Sequence, residues 1–137
     1  MAYVSKETKA NIVEAVKPIL KKYGVKGTFA VRHHSTIVLN INSGVLDFIT
    51  NHNEACEKRY SHRDNWQPSE NNIDVNVYWI DDHFSGQPRD FLNEVMQAIK
   101  MAGEWFDESD SMTDYFHTAF YIDINVGKWD KPYQLTH

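Results

Sequence analysis

The chain has 137 residues, 42% of them hydrophobic and 13% aromatic, and a formal net charge of −5. This length and apolar content are typical of a domain that closes its own core, so we expect a single domain over residues 1–137. The lone Cys56 excludes an internal disulfide, and no run of about 18 apolar residues predicts a membrane span. We therefore expect a protein of the reducing cytoplasm without a membrane partner.

The first predicted element is a helix that begins after Ser5 and stops at Gly24. Ser5 is a good N-cap residue, and Lys21 and Lys22 complement the negative end of the helix dipole. The residues between these ends have an apolar stripe at helical spacing, formed by Ile12, Val13, Val16, Ile19, Leu20 and Tyr23.

A β-hairpin is predicted next. Residues 28–32 and 36–42 are rich in β-forming side chains and are separated by three residues, beginning with His33 and His34. Ser43 and Gly44 are expected to end the second strand. Residues 45–49 are apolar but too short for periodicity to distinguish a strand from a helical turn.

The middle of the chain predicts a long polar loop followed by a strand. Residues 51–72 carry many charged and amide side chains, and a loop of this length is usually a recognition element or mobile. Apolar residues then alternate with polar ones, which predicts a strand with one buried face, at Ile73, Val75, Val77 and Trp79.

The last third predicts a second helix and a final strand. Pro88 suits the first helical turn and Gly103 its end. The helix has an apolar stripe of Phe91, Leu92, Val95, Met96, Ile99 and Ala102. Residues 120–126 alternate strictly before Gly127. The order predicts an α+β two-layer sandwich, with a mostly antiparallel sheet of about four strands and two amphipathic helices on one face.

Charge is distributed unevenly along the chain. Residues 1–34 contain seven Lys or Arg and two Glu, whereas residues 101–127 contain six acids and no Lys or Arg. Solvated faces explain such asymmetry, and so does a patch made for a partner. Within WFDESDSMTDYF, aromatic residues and acids occur together and cannot all be buried, so this connector is expected to be amphipathic. Its predicted binding residues are Trp105, Asp107, Asp110, Asp114 and Tyr115.

An alternative surface would bind nucleic acid through the basic first helix. Its residues would be Lys17, Lys21, Lys22 and Arg32. The sequence pI of about 5.7 argues against this function, because phosphate-binding domains are usually basic.

Metal and thiol chemistry receive little support from spacing. A metal site would have to gather His33 or His34, His83, His117 and carboxylates from distant segments, so we predict no metal and no cofactor. Cys56 lies near Lys58 and Arg59, which favour a thiolate, but a polar loop offers no positioned base. We predict no catalytic residue. The alternative is a metal-dependent nucleic-acid-processing enzyme, whose carboxylates would come from Asp81, Asp82, Asp107, Glu108, Asp110, Asp114 and Asp123.

Three segments resemble small proteins of tailed phages and mobile elements, and a module of large polyvalent proteins of such elements: MAYVSKETKANI, KKYGVKGTFAVRHHSTIVLNINSG and DYFHTAFYIDINVGKWDKPY. The resemblance covers most of the chain and thins across residues 51–72. It implies a phage or mobile-element context and action on the host or its defences, but no reaction. We expect a binding protein of the host cytoplasm with a host or phage protein as partner, and, from the aromatic content, a homodimer.

Overall fold

The fold is known from a computed structural model that describes residues 3–60, 68, 71–105, 119–128 and 130–136, the side chains of 59 and 60 excepted. The helices and strands pack around one hydrophobic core. The helices are α1 (Lys6–Tyr23), α2 (Phe48–Tyr60), α3 (Ile80–His83) and α4 (Gly86–Ala102). The strands are β1 (Val25–Arg32), β2 (Thr36–Gly44), β3 (Ile73–Val75), β4 (Tyr121–Val126) and β5 (Gln134–Leu135).

Helix α1 has the ends that the sequence predicts. The Ser5 hydroxyl accepts a hydrogen bond from the Thr8 backbone N–H at 3.0 Å, which satisfies a donor of the first turn. Gly24 has a φ of 67° and donates its N–H to the carbonyls of the last turn. The buried side of the helix consists of Ile12, Val16 and Leu20.

Strands β1 and β2 form the predicted hairpin. The Ser35 N–H donates to the Arg32 carbonyl at 3.2 Å across a tight turn whose central residues, His33 and His34, have φ of 54° and 60°. Two consecutive positive φ angles are typical of the turn that matches the twist of a hairpin. Both histidines are exposed at this tip. Strand β2 ends at Gly44, within the segment expected to end it and two residues beyond the predicted run.

The α+β class is confirmed, and the sheet is mixed. Among the described strands the order is β1-β2-β4-β3, with β5 beside the end of β2. Strand β2 pairs antiparallel with β1 but parallel with β4, and β3 pairs antiparallel with β4. The parallel pairing is possible because α2, β3, α3 and α4 lie between β2 and β4 and return the chain to the start of the sheet.

Helices α1 and α4 cover one face of the sheet, and the core lies between the two layers. Helix α4 confirms the predicted second helix. Phe91 of this helix is fully buried. Its ring centroid lies 5.3 Å from that of Tyr23 and 5.6 Å from that of Phe48. This aromatic cluster joins α1, α2 and α4.

The predicted loop over 51–72 is wrong for its first ten residues, which belong to α2. The Asp47 Oδ1 accepts from the Thr50 N–H at 3.1 Å and caps the helix. Helix α2 is polar and buries few side chains, among them Phe48 and Cys56. Such a narrow apolar side escapes a periodicity search, because packing on the rest of the protein, rather than amphipathicity, stabilises the helix.

The predicted strand over 73–79 is also too long. Strand β3 ends at Val75, because Asn76 starts a turn: its Oδ1 accepts from the Tyr78 N–H and its carbonyl from the Trp79 N–H. Asparagine side chains stabilise such turns by accepting from the backbone two residues on. Helix α3 follows at once.

Tyr133 allows a prediction on alkaline stability. Its hydroxyl donates to the Leu46 carbonyl at 2.6 Å, and burial, with a smaller effect of Asp47, raises its pKa above the ordinary 10. The unfolded chain therefore loses this proton first. We expect the free energy of unfolding to be unaffected below pH 10 and to fall as pH rises above it. The free energy of unfolding, measured with urea between pH 9 and 11, should decline less in Tyr133→Phe than in the parent protein. An equal decline in both would show that Tyr133 does not cause it.

Candidate functional site

A cleft of about 540 Å³ opens beside the first half of β4. Strand β3 pairs with Ile124–Val126 only, so in the described part of the chain no strand pairs with residues 121–123 on that side. The Tyr121 N–H donates to Ser35 on the opposite side. Because successive residues of a strand direct their backbone groups to opposite edges, the N–H and C=O of Ile122 face the cleft.

Trp105 forms part of the cleft wall and is held in place by three contacts. Its indole Nε1 donates to the Phe120 carbonyl at 2.8 Å, and its backbone N–H to the Lys100 carbonyl at 2.9 Å. The Lys100 Nζ lies 4.5 Å from the indole centroid, within cation–π range. The ring is half-buried against the core, so Trp105 combines a packing role with a surface that lines the cleft.

The two sides of the cleft differ in chemistry. Trp105, Met96 and Ile122 are apolar lining residues that also pack against the core. Asp74 and Asp123 also line the cleft and belong to the opposite face of the sheet, because each alternates with core-facing neighbours. The cleft therefore has a largely apolar side, where Lys100 lies against Trp105, and an acidic side, separated by the backbone edge of β4.

The two acids differ in their partners. Asp123 pairs with Arg32, whereas no cation of the described chain lies within ion-pair distance of the exposed Asp74. Tyr78 is 86% exposed and stands at the rim, with Tyr121 half-exposed nearby. Asp74 is thus an exposed carboxylate on the acidic side of the cleft.

The cleft contains one of the sequence-predicted binding residues. Trp105 lines it as described above. Asp107, Asp110, Asp114 and Tyr115 lie outside the described residues. Sequence reasoning missed Ile122 and Asp74, although the alternation of both strands was visible, because their cleft is created by the early end of β3.

The alternative basic residues do not form one surface. Lys17 and Lys21 are exposed on α1, and the Lys22 Nζ lies 3.1 Å from a carboxylate oxygen of Glu94. Arg32 lies on the sheet face that α1 does not cover, where it pairs with Asp123. Two of the four predicted phosphate contacts are therefore engaged by acids, and Arg32 points away from the other three.

Glu94 ties α1 to α4 through a second bond. It accepts a hydrogen bond from the Tyr23 hydroxyl, which raises the pKa of Tyr23 to about 12. The same bond, together with Lys22, lowers the pKa of Glu94. Lys22 thus belongs to a helix–helix contact rather than to a free basic patch.

A second group of functional side chains lies between α2 and α3. His52 and Cys56 are four residues apart on one side of α2, with the sulfur 3.5 Å from His52 Nε2. His83 is the last residue of α3. One possible ligand atom from each of these three residues lies within 4.8 Å of the others. We call them the His52–Cys56–His83 cluster.

The surroundings of this cluster are aromatic and partly buried. The His52 ring centroid lies 5.7 Å from that of His83 and 5.2 Å from that of Phe84, and Trp79 stacks on His83. Cys56 is only 3% exposed. Burial lowers the pKa of His52, His83 adds to that shift, and the Asn53 side chain opposes it. Within the described residues, His52 Nδ1 is buried without a hydrogen-bond partner.

The His52–Cys56–His83 cluster differs from the metal site considered from the sequence, which would combine His33 or His34 with His83 and His117. His33 and His34 lie at the exposed hairpin tip, and His117 lies outside the described residues, so only His83 is shared. Cys56 is a buried helical residue rather than part of a polar loop. The missed signal was the spacing of His52 and Cys56, which places them on one side of a helix only if the segment is helical.

None of the described helices is long and apolar enough to cross a membrane.

Comparison of the chain with protein-family models, with curated proteins and with solved structures gave no match.

Proposed function

We propose that this protein acts by binding, and that it takes up an extended segment of a partner protein as an added strand along the first half of β4. The observation that carries the proposal is the backbone edge of Ile122, which opens onto the cleft. Among the described residues no strand pairs with this edge. An unpaired strand edge is a template for another strand, and peptide-binding domains use it in this way.

The side chains beside this edge specify the partner segment. Successive side chains of an extended segment point to opposite faces. One set would meet the apolar side at Met96 and Trp105, and the other would meet Asp74. The preferred segment therefore alternates apolar and basic residues. Strands β3 and β4 already pair antiparallel, with Val75 opposite Ile124 and both side chains in the core. A partner strand added beside Ile122 would follow the same antiparallel pattern.

The resemblance to phage and mobile-element proteins supports a host or phage protein as the source of this segment, and action on the host or its defences as the outcome. The acidic character of the chain supports a partner with a basic surface, because complementary charge accelerates association. Self-association, expected from the aromatic content, would use exposed rings such as Tyr78 and Tyr121 at the same rim.

A peptide of alternating valine and lysine tests the proposal. In an antiparallel added strand, the valines share the face of Ile122 and their amides point towards β4, whereas the lysine amides point away. We expect N-methylation of the valine amides to weaken binding at least tenfold, because hydrogen bonds to β4 are lost, and N-methylation of the lysine amides to have little effect. Titration followed through the NMR signal of the Ile122 amide measures both affinities.

The charge component has its own control. Asp74→Asn should weaken binding about threefold at low salt and less at high salt, since exposed pairs are weak and screened. Asp90→Asn, on α4 and outside the cleft, should have no effect. Peptide binding should be measured at protein concentrations at which light scattering gives the monomer mass of 16.0 kDa. Equal effects of both N-methylated peptides would contradict strand addition. Oligonucleotide binding that is lost on changing Lys17 and Lys21 to Gln would favour the nucleic-acid alternative.

A further inference from the structure

We propose that His52, Cys56 and His83 bind one zinc-type transition-metal ion that joins α2 to α3. This site is separate from the cleft and does not depend on the proposed binding function. Two imidazoles and one thiolate are the nitrogen and sulfur ligands that zinc takes in proteins. Magnesium and calcium prefer oxygen, so this donor set selects against them.

The spacing of His52 and Cys56 fits a tetrahedral ion. Zn–N bonds of about 2.0 Å and Zn–S bonds of about 2.3 Å, at a tetrahedral angle, separate nitrogen from sulfur by about 3.5 Å. The Cys56 sulfur and His52 Nε2 are 3.5 Å apart, which matches this edge. The pair needs no rearrangement, because residues four apart on a helix already face the same way.

His83 completes the set from a different element. Its ligand atom lies within 4.8 Å of the other two. Zinc binding would draw it to about 3.3 Å from the His52 nitrogen, the distance that two zinc-bound nitrogens require. His52 Nδ1 is buried and has no hydrogen-bond partner, donor or acceptor, among the described residues. With the ring proton on Nδ1, the Nε2 lone pair would be free to bind the ion.

The two histidines are only partly buried, so the cluster can be reached from one side although Cys56 is enclosed. Three protein ligands leave a fourth position for water or another ligand. The ion would connect residue 56 to residue 83 and so restrain the intervening chain. Since the unfolded chain does not hold the three ligands together, metal binding should stabilise the folded protein.

Zinc and cobalt chlorides, added to the full chain after treatment with a chelator, test this site. We expect one ion per chain and, at a zinc concentration of about 100 times Kd, a rise in Tm of about 8 °C. Cobalt should produce a thiolate-to-metal charge-transfer band and the intense visible bands of a tetrahedral site. Absence of a bound ion, or cobalt spectra of an octahedral oxygen site, would overturn the proposal.

Variants assign the ligands. Cys56→Ser should abolish the charge-transfer band, and His83→Gln should weaken zinc binding at least tenfold, the scale on which losing contacts at a metal site reduces affinity. His33→Gln, at the exposed hairpin tip, should change neither. Melting in chelator shows whether each variant folds like the parent protein. A band that persists in Cys56→Ser, or equal losses in His33→Gln and His83→Gln, would place the metal elsewhere.

Discussion

Gly127→Ala should lower the free energy of unfolding by about 3 to 5 kcal/mol. Gly127 follows β4 with a φ of 70°, and its N–H donates to the Ile41 carbonyl at 2.8 Å. An alanine Cβ would lie 2.6 Å from the Tyr133 nitrogen and 2.8 Å from the Asn71 oxygen. Those two atoms form a 3.0 Å hydrogen bond, so the methyl group would be forced into it. Backbone on both sides leaves no flexible side chain to move away.

Gly86 provides the matched control for this substitution. Its φ of 58° is equally unfavourable for alanine, but an added Cβ would meet no atom within 4 Å. Gly86→Ala should therefore cost only the conformational strain, about 1 kcal/mol. Urea denaturation of both variants measures the difference, which isolates the steric effect at Gly127. Equal destabilisation would show that the strand end relaxes around the methyl group.

Phe91→Ala should destabilise the protein by about 3 to 5 kcal/mol, because it removes a fully buried ring and leaves a cavity. The Phe91 ring contacts Tyr23 of α1 edge-on and Phe48 at the start of α2. Its loss therefore weakens the packing of three helices at once. Denaturant unfolding followed by circular dichroism provides the measurement.

Met101→Ala is the control on the same helix. Met101 is 73% exposed, so its truncation should change the free energy of unfolding by less than about 0.5 kcal/mol. If Phe91→Ala cost no more than this control, the aromatic cluster would contribute little, and the packing between α1, α2 and α4 would depend on other contacts.

Local signals in the sequence determined much of the fold. Helix α1 lies between the Ser5 cap and Gly24, α4 shows its apolar stripe, and the hairpin and β4 show their β-forming runs. These elements were predictable because caps, turns and periodicity act over a few residues. The same local rules determined the α+β class, since two amphipathic helices need a sheet face to cover.

Tertiary contacts alone determine that α2 forms, that β3 ends at Val75 and that the sheet is mixed. Helix α2 buries too few of its own residues to reveal its period, and contacts such as that of Phe48 with Phe91 supply its stability. The cleft exists because β3 stops at Val75 while β4 begins at Tyr121. His52 and Cys56 meet His83 because packing joins α2 to α3. Both sites depend on contacts between residues distant in sequence, and local patterns carry no information on such contacts.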